Sequence, residues 1–362
     1  MTQKPHEKRE ETKNAYLRAM EKGWNKRIPV AAHFEVTFRC NHDCVFCYNT
    51  REDEAGKTEM SVSDYRRAFK MVKELGVLFV TLTGGEPLLR KDFFEIAGAA
   101  KEEALALRIF TNGYLIDEEM AARIKKLVPF EVEMSIHGHN AETHEKVTRV
   151  KGSFDTLLQA VDNLRKLDVK VNLKSIITRF NEDELEGIVE IAKQKGCSIT
   201  FDPVISPRDN GELSPIQYAT DEEHLKKFWV EIYPKMRNSL LAPVVEDNCV
   251  WAVCGIGRAS IAIDPYGDIF PCLQWREKIG NIKEVADLKD LWHNSAVLNK
   301  VRGIAMRVKE EVLDKVEYGN FCSYCPAVAR QVTGDPFKLY PQAIENARHF
   351  AVAYETAKKK GK

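Results

Sequence analysis

The sequence predicts an α/β fold: an open, partial (β/α)6 TIM-like barrel followed by a small α+β region built around a β-hairpin. Three observations lead there. Between about residues 33 and 203, apolar β-branched runs alternate with segments of helical spacing. Such runs number six, short of the eight strands that close a barrel and typically take about 250 residues. Beyond residue 249 the alternation stops, and two short β-type runs flank a Pro-Tyr-Gly-Asp turn.

The strand runs are His33–Phe38, Val77–Thr81, Leu107–Thr111, Glu131–Ile136, Lys170–Ile177 and Ser198–Phe201. Ser61–Leu75, Asp92–Glu103, Asp117–Leu127, Phe154–Leu167 and Glu182–Lys195 carry the helical spacing between them. Parallel strands need crossovers of this length, so the helices lie outside a parallel sheet. The mouth of such a barrel is at the C-terminal ends of its strands. That directs attention to Arg39–Cys47, Gly84–Pro87, Asn112, His137 and Asp202.

A turn-rich stretch, DPVISPRDNGELSP, follows the sixth strand and precedes an acidic, aromatic helical segment, Asp221–Met236. The run RASIAIDPYGDIFPCLQW reads as the hairpin, followed by a short helix at Leu288–His293 and the pair Cys322/Cys325. The expected organisation is an N-terminal helical extension (1–30), the barrel (31–220), a helical linker (221–248), the second domain (249–340) and a C-terminal helix or tail (341–362).

Lys+Arg and Asp+Glu both total 54, so no net charge argues for nucleic acid or an anionic membrane surface. The start, MTQKPHEKREETKN, is too charged for a secretory signal, and no window nears the ~18 apolar residues of a membrane span. The expected location is the cytoplasm. In a reducing compartment, grouped cysteines among the nine present bind metal or do redox chemistry more often than they form disulfides.

The loop after the first strand reads CNHDCVFC, which places Cys40, Cys44 and Cys47 on one short segment. Three thiolates can bind three irons of a [4Fe–4S] cluster and leave the fourth for a non-protein ligand. A zinc knuckle is the alternative on spacing alone, although structural zinc takes four protein ligands and His42 is poorly placed inside the loop. The second strand ends in Gly84-Gly85-Glu86-Pro87. Its glycines suit close backbone approach to a ligand, and Glu86 offers a carboxylate to an amino group.

With these motifs and the strand–helix rhythm, the chain resembles the radical S-adenosylmethionine superfamily over most of residues 33–205. The resemblance implies a [4Fe–4S] cluster on Cys40, Cys44 and Cys47 that chelates S-adenosylmethionine (SAM) and splits it reductively. The 5′-deoxyadenosyl radical so formed then removes a substrate hydrogen. The resemblance also implies SAM contacts at Phe46, Gly84, Gly85, Glu86, Pro87, Asn112, Ser135 and Arg149. Arg149 suits a bidentate carboxylate partner, with a surface ion pair as the plainer reading. His137 stands where many relatives carry Asp, either as a substrate contact or as a polar turn residue.

Cys254, separated by twelve residues from Gly267, then Cys272 and the CSYCP pair resemble the auxiliary-cluster extension called SPASM, or its shortened twitch form. IGNIKEVADLKDLWHNS adds to that likeness. A complete SPASM extension carries further cysteines where this chain runs AVARQVTGDP. The economical expectation is one auxiliary [4Fe–4S] cluster on Cys254, Cys272, Cys322 and Cys325, with Cys249 a possible substitute ligand or a bystander. A Cys₄ zinc site has the same spacing. Cys197 reads as a core residue.

The resemblance implies modification of a ribosomally made precursor peptide, by a thioether or carbon–carbon crosslink or by epimerisation. The alternative is oxidation or rearrangement of a small molecule of the aminocyclitol or tetrapyrrole type, and a distant third is a non-catalytic metal-binding scaffold. Leu273 stands where some oxidising relatives have a proton-accepting Asp after the hairpin cysteine. Asp202, Arg208 and Asp209 are further candidates for substrate contact. Expected partners are an electron donor such as flavodoxin or ferredoxin and a separate leader-peptide-binding protein.

Overall fold

The computed structural model describes residues 15–50, 56–236 and 254–360. Cys249 lies outside the described residues, as do residues 1–14 of the N-terminal extension and 237–248 of the linker.

Six strands form in the expected places: β1 (Ala31–Thr37), β2 (Phe79–Gly84), β3 (Ala106–Thr111), β4 (Glu131–Ser135), β5 (Val171–Ile176) and β6 (Ser198–Asp202). Each pairs in parallel with the next in chain order. The helix α1 (Ala15–Lys26) precedes them, and α2 (Val62–Leu75), α3 (Phe93–Glu102) and α4 (Glu118–Leu127) link the first four strands. Two helices, α5 (Ala141–Thr148) and α6 (Ser153–Lys166), cross from β4 to β5, and α7 (Leu185–Gln194) leads into β6. The eight-residue α5 is too short for periodicity to reveal; its signal is the Asn140 cap, whose side chain accepts the Thr143 amide.

The sheet stays open. β1 pairs on its other side with β7 (Ser260–Ile263), which runs parallel to it. The hairpin continues antiparallel through β8 (Asp268–Phe270) to β9 (Gly280–Asn281), giving the order β6-β5-β4-β3-β2-β1-β7-β8-β9. The hairpin region therefore extends the barrel sheet rather than forming a separate layer. Asp264 makes its turn by accepting the Tyr266 and Asp268 amides at 2.9 and 2.8 Å, and Gly267 supplies the left-handed φ of 92°. The N-terminal helix is tied to the same region: Trp24 Nε1 donates to the Cys254 carbonyl at 2.9 Å.

Strand alternation sorts the side chains. Phe34, Val36, Val80, Leu82, Leu107, Ile109, Val132, Met134 and Leu173 pack into one core with the helices. Burial of that outer face supplies most of the stabilisation, at roughly 25 cal/mol per Å². The opposite parity puts Glu35, Thr83, Phe110, Ser135, Lys174 and Asp202 toward the barrel interior. Behind the hairpin lies the long helix α8 (Ala296–Glu311), and Pro341–Lys360 forms a C-terminal helix. Among the described residues, no helix is long and apolar enough to cross a membrane.

Candidate functional site

The cysteine loop leaves β1 at its C-terminal end and is anchored on both sides by main-chain bonds. Gly85 and Glu86 donate their amides to the Thr37 and Arg39 carbonyls at 2.7 and 2.8 Å. The amides of Asp43 and Val45 donate to the Thr148 and Val147 carbonyls, each at 3.0 Å, using groups that the end of α5 leaves unpaired. Arg149, in a left-handed conformation just past α5, holds Asp43 of the loop at 3.0 Å. Both side chains are about half exposed, so Arg149 stands at the loop's outer edge with a carboxylate partner already in place.

The Gly-Gly-Glu-Pro turn packs tightly against β1 and the cysteine loop. A Cβ on Gly84 would sit 2.2 Å from the Thr37 oxygen, and one on Gly85 would sit 2.1 Å from the Arg39 oxygen. The close approach these glycines permit is to β1 and the start of the cysteine loop. Glu86 is fully buried and accepts from the Leu88 amide (3.0 Å), the Thr111 hydroxyl (2.8 Å) and the Asn112 amide (2.8 Å). Burial pushes its carboxyl up to about 7 against those three hydrogen bonds. Asn112 then reaches from Glu86 to the loop, its Nδ2 donating to Asn41 at 2.7 Å and pointing at the Cys40 sulfur at 3.9 Å. The His42 amide donates to that sulfur at 3.4 Å.

Beside the loop lies a cavity of about 290 Å³, lined from the barrel by Phe46, Phe110, Ser135, His137, Lys174 and Asp202. Leu273 and Gln274, directly after Cys272, line its far side. The His137 ring packs edge-on against Phe46 at 4.7 Å and stacks on His144 at 6.0 Å. Burial holds His137 well below the usual imidazole range, so it is neutral. Neither of its ring nitrogens has a partner within the protein. Ser135, His137 and Asp202 are thus brought together. Arg208 and Asp209 are not: Arg208 donates to the Asn49 carbonyl at 3.2 Å, and the Asp209 amide donates to the Tyr48 carbonyl at 2.8 Å. They clamp the tail of the cysteine loop instead.

At the second cysteine set, the Cys254 thiol lies close enough to Cys272 and Cys325 that their charge adds to burial in pushing it up. Cys322 is buried, and its thiol donates to the Ala343 carbonyl at 3.6 Å. Asp202, which lines the cavity, adds its charge to the burial that pushes the Cys325 thiol up. Among the described residues, the one trio of metal-ligating side-chain atoms mutually within 4.8 Å is Glu182, Asp221 and His224. The donor chemistry fits iron–sulfur clusters: thiols on anchored loops, with amide hydrogens directed at sulfur.

Glu35, a carboxylate inside an apolar strand run, stands out in the sequence itself. Tyr48 and Arg276, which meet it, carry no local signal.

The family model of the radical SAM superfamily matches residues 34–194, and that of an iron–sulfur cluster-binding domain, SPASM, matches residues 254–326. An AdoMet-dependent heme synthase of Methanosarcina barkeri is 26% identical over 337 residues, spanning 86% of this chain and 95% of that protein. The mycofactocin maturase MftC of Mycolicibacterium smegmatis is 26% identical over 290 residues, or 76% of this chain and 72% of MftC. The crystal structure of Streptococcus suis SuiB bound to its precursor peptide SuiA superposes with a TM-score of 0.61 at 19% identity, covering 80% of this chain and 72% of SuiB.

Proposed function

Because this chain belongs to the radical S-adenosylmethionine superfamily and carries a SPASM-type iron–sulfur region, we propose that it is an enzyme that modifies a ribosomally made precursor peptide. The carrying observation is the cavity of about 290 Å³, which touches the first cysteine loop through Phe46 and the second set through Leu273. A volume at the low end of ligand pockets suits one side chain of a longer substrate whose remainder stays outside.

When bound, a [4Fe–4S] cluster with SAM supplies a 5′-deoxyadenosyl radical that takes a hydrogen from substrate. The residues that would hold that cluster are Cys40, Cys44 and Cys47, with Asn112 and the His42 amide directed at Cys40. Phe46 and Ser135 would line the nucleoside side of the cavity, and His137 and Asp202 would meet the substrate. Phe46, Phe110 and Leu273 would shield the reacting carbon from water. Flavodoxin or ferredoxin would supply the electron, and a separate leader-binding protein would deliver the peptide.

A tetrapyrrole substrate is the second reading, favoured by the match that spans 95% of the heme synthase. The test incubates anaerobically reconstituted protein, SAM and reductant with the short peptide encoded beside its gene, and separately with iron-coproporphyrin III. A peptide product confined to the first arm, read as mass loss for a crosslink or as a D-residue for epimerisation, is the expected result; turnover of the porphyrin alone would overturn the peptide reading.

A further inference from the structure

We propose that the free edge of β6 and the aromatic cavity beside it hold an extended stretch of the substrate peptide, which pairs with β6 as an added strand. This placement rests on the peptide reading of the protein's function.

β6 ends the sheet, so one of its two edges has no strand partner among the described residues. Its register with β5 fixes which main-chain groups face that edge. The Ile177 amide donates to the Asp202 carbonyl at 2.9 Å, and Asp202 stands opposite Ile176. In a parallel ladder, residues that bond one neighbour alternate with residues that face the other side. Ser198, Thr200 and Asp202 therefore bond to β5, while Ile199 and Phe201 turn their N–H and C=O groups outward. Ser198 and Thr200 are exposed, as on an uncovered edge. Such a row of unpaired groups is a template for a further strand.

The edge opens into a cavity of about 450 Å³, larger than the one beside the cysteine loop. Its far wall is aromatic, with Trp229 and Tyr233 from the helical segment 222–236 and Phe350 from the C-terminal helix. Trp229 stacks on Phe350, ring centres 4.5 Å apart and planes 14° from parallel, and its Nε1 donates to Asn346 at 2.9 Å. A π-turn over Phe228–Ile232 interrupts the segment at this point, a departure from regular helix that is frequent at functional sites.

Two features name the occupant. Lys174, Asp202 and Val204 line this cavity and the central one alike, so a chain seated here runs on directly to the reacting residue. The outward groups are alternate main-chain amides and carbonyls, which an extended peptide matches whatever its sequence and a planar macrocycle does not. Main-chain bonds would supply affinity, and an apolar side chain against Trp229 would supply selectivity.

Amide hydrogen exchange of the full chain, reconstituted anaerobically, is followed over residues 198–204 with and without the short peptide encoded beside its gene. The peptide is expected to slow two amides there, those of Ile199 and Phe201. Modification of the peptide while both amides exchange freely overturns the inference and leaves the peptide reading standing. A peptide neither bound nor modified overturns both. Protection of the two amides before peptide is added means that the chain itself covers the edge, and it overturns the inference. Ile199→Pro removes one outward N–H without breaking a bond to β5, and Ile199→Ala keeps that N–H while trimming the side chain. The proline variant is expected to raise the KM for the peptide roughly tenfold, and the alanine variant to stay within about twofold. An equal rise in both overturns strand pairing. Circular dichroism identifies a proline variant that has not folded, and the exchange measurement on the native chain then decides.

Discussion

Arg276 grips Glu35 with both of its terminal nitrogens, at 2.7 and 2.9 Å, across 241 residues of sequence. Glu35 lies in the first barrel strand with no side-chain exposure, and Arg276 follows the hairpin cysteine by four residues. Tyr48, next to Cys47, donates to the same carboxylate at 3.0 Å. One buried carboxylate thus links the segments that carry both cysteine sets.

Removing the arginine leaves a buried charge without its partner. Arg276→Met is expected to destabilise the fold by about 3–5 kcal/mol, and Glu35→Gln in the same chain to recover a large part of it. Urea unfolding of the two variants checks this. A double variant no more stable than Arg276→Met would count against the pairing.

Glu86 gives stability a pH dependence of defined sign. Its carboxyl titrates at 4.5 unperturbed and at about 7 in the folded chain. Between those values the folded state holds the extra proton, so this group's contribution falls as pH rises and is flat on either side. The full effect is on the order of 3 kcal/mol. Unfolding free energies measured across this window should decline for the native chain, and Glu86→Gln should remove that decline.

The contact at Gly85 predicts a local failure. A methyl group there would lie 2.1 Å from the Arg39 oxygen, so Gly85→Ala must push the cysteine loop away from β2. Overpacking of this kind costs about 1–3 kcal/mol. The larger consequence falls on the cluster: iron content should drop toward the auxiliary complement, and 5′-deoxyadenosine formation should fail while circular dichroism stays native.

Asn112 tunes the first cluster through Cys40. Asn112→Ala withdraws a donor directed at that sulfur, 3.9 Å away, and releases Asn41. Amide hydrogens near sulfur favour the reduced cluster, so its potential should become more negative. One hydrogen bond is worth about 1 kcal/mol, or roughly 40 mV for a one-electron couple. Redox titration followed by EPR reads the shift, and an unchanged potential would rule out this role.

Cys40, Cys44 and Cys47 of Ala-substituted chains provide the broadest check. The triple variant should lose about half of roughly eight irons and all reductive cleavage of SAM. Retained cleavage would contradict the assignment of that loop.

Much of this molecule is written locally. The six strands, the hairpin turn and the cysteine loop follow from period-2 alternation, from Asp264 and Gly267 at a tight turn, and from three thiols within eight residues. Each signal lies within a span that backbone geometry alone can interpret. Glu86 was legible as part of a motif but its partners were not: Thr111 and Asn112, one strand away, hold its carboxylate.

The sequence by itself determined the chemistry this protein is equipped for, because ligand type and spacing on one loop define a cluster site before any long-range contact forms. Tertiary structure alone decided the company those ligands keep: Arg276 beside Glu35, His137 against Phe46, Cys322 packed near Cys254 and Tyr340. Packing brings such residues together from distant segments, and side-chain direction there is set by which neighbours fill the space, a quantity with no period in the chain.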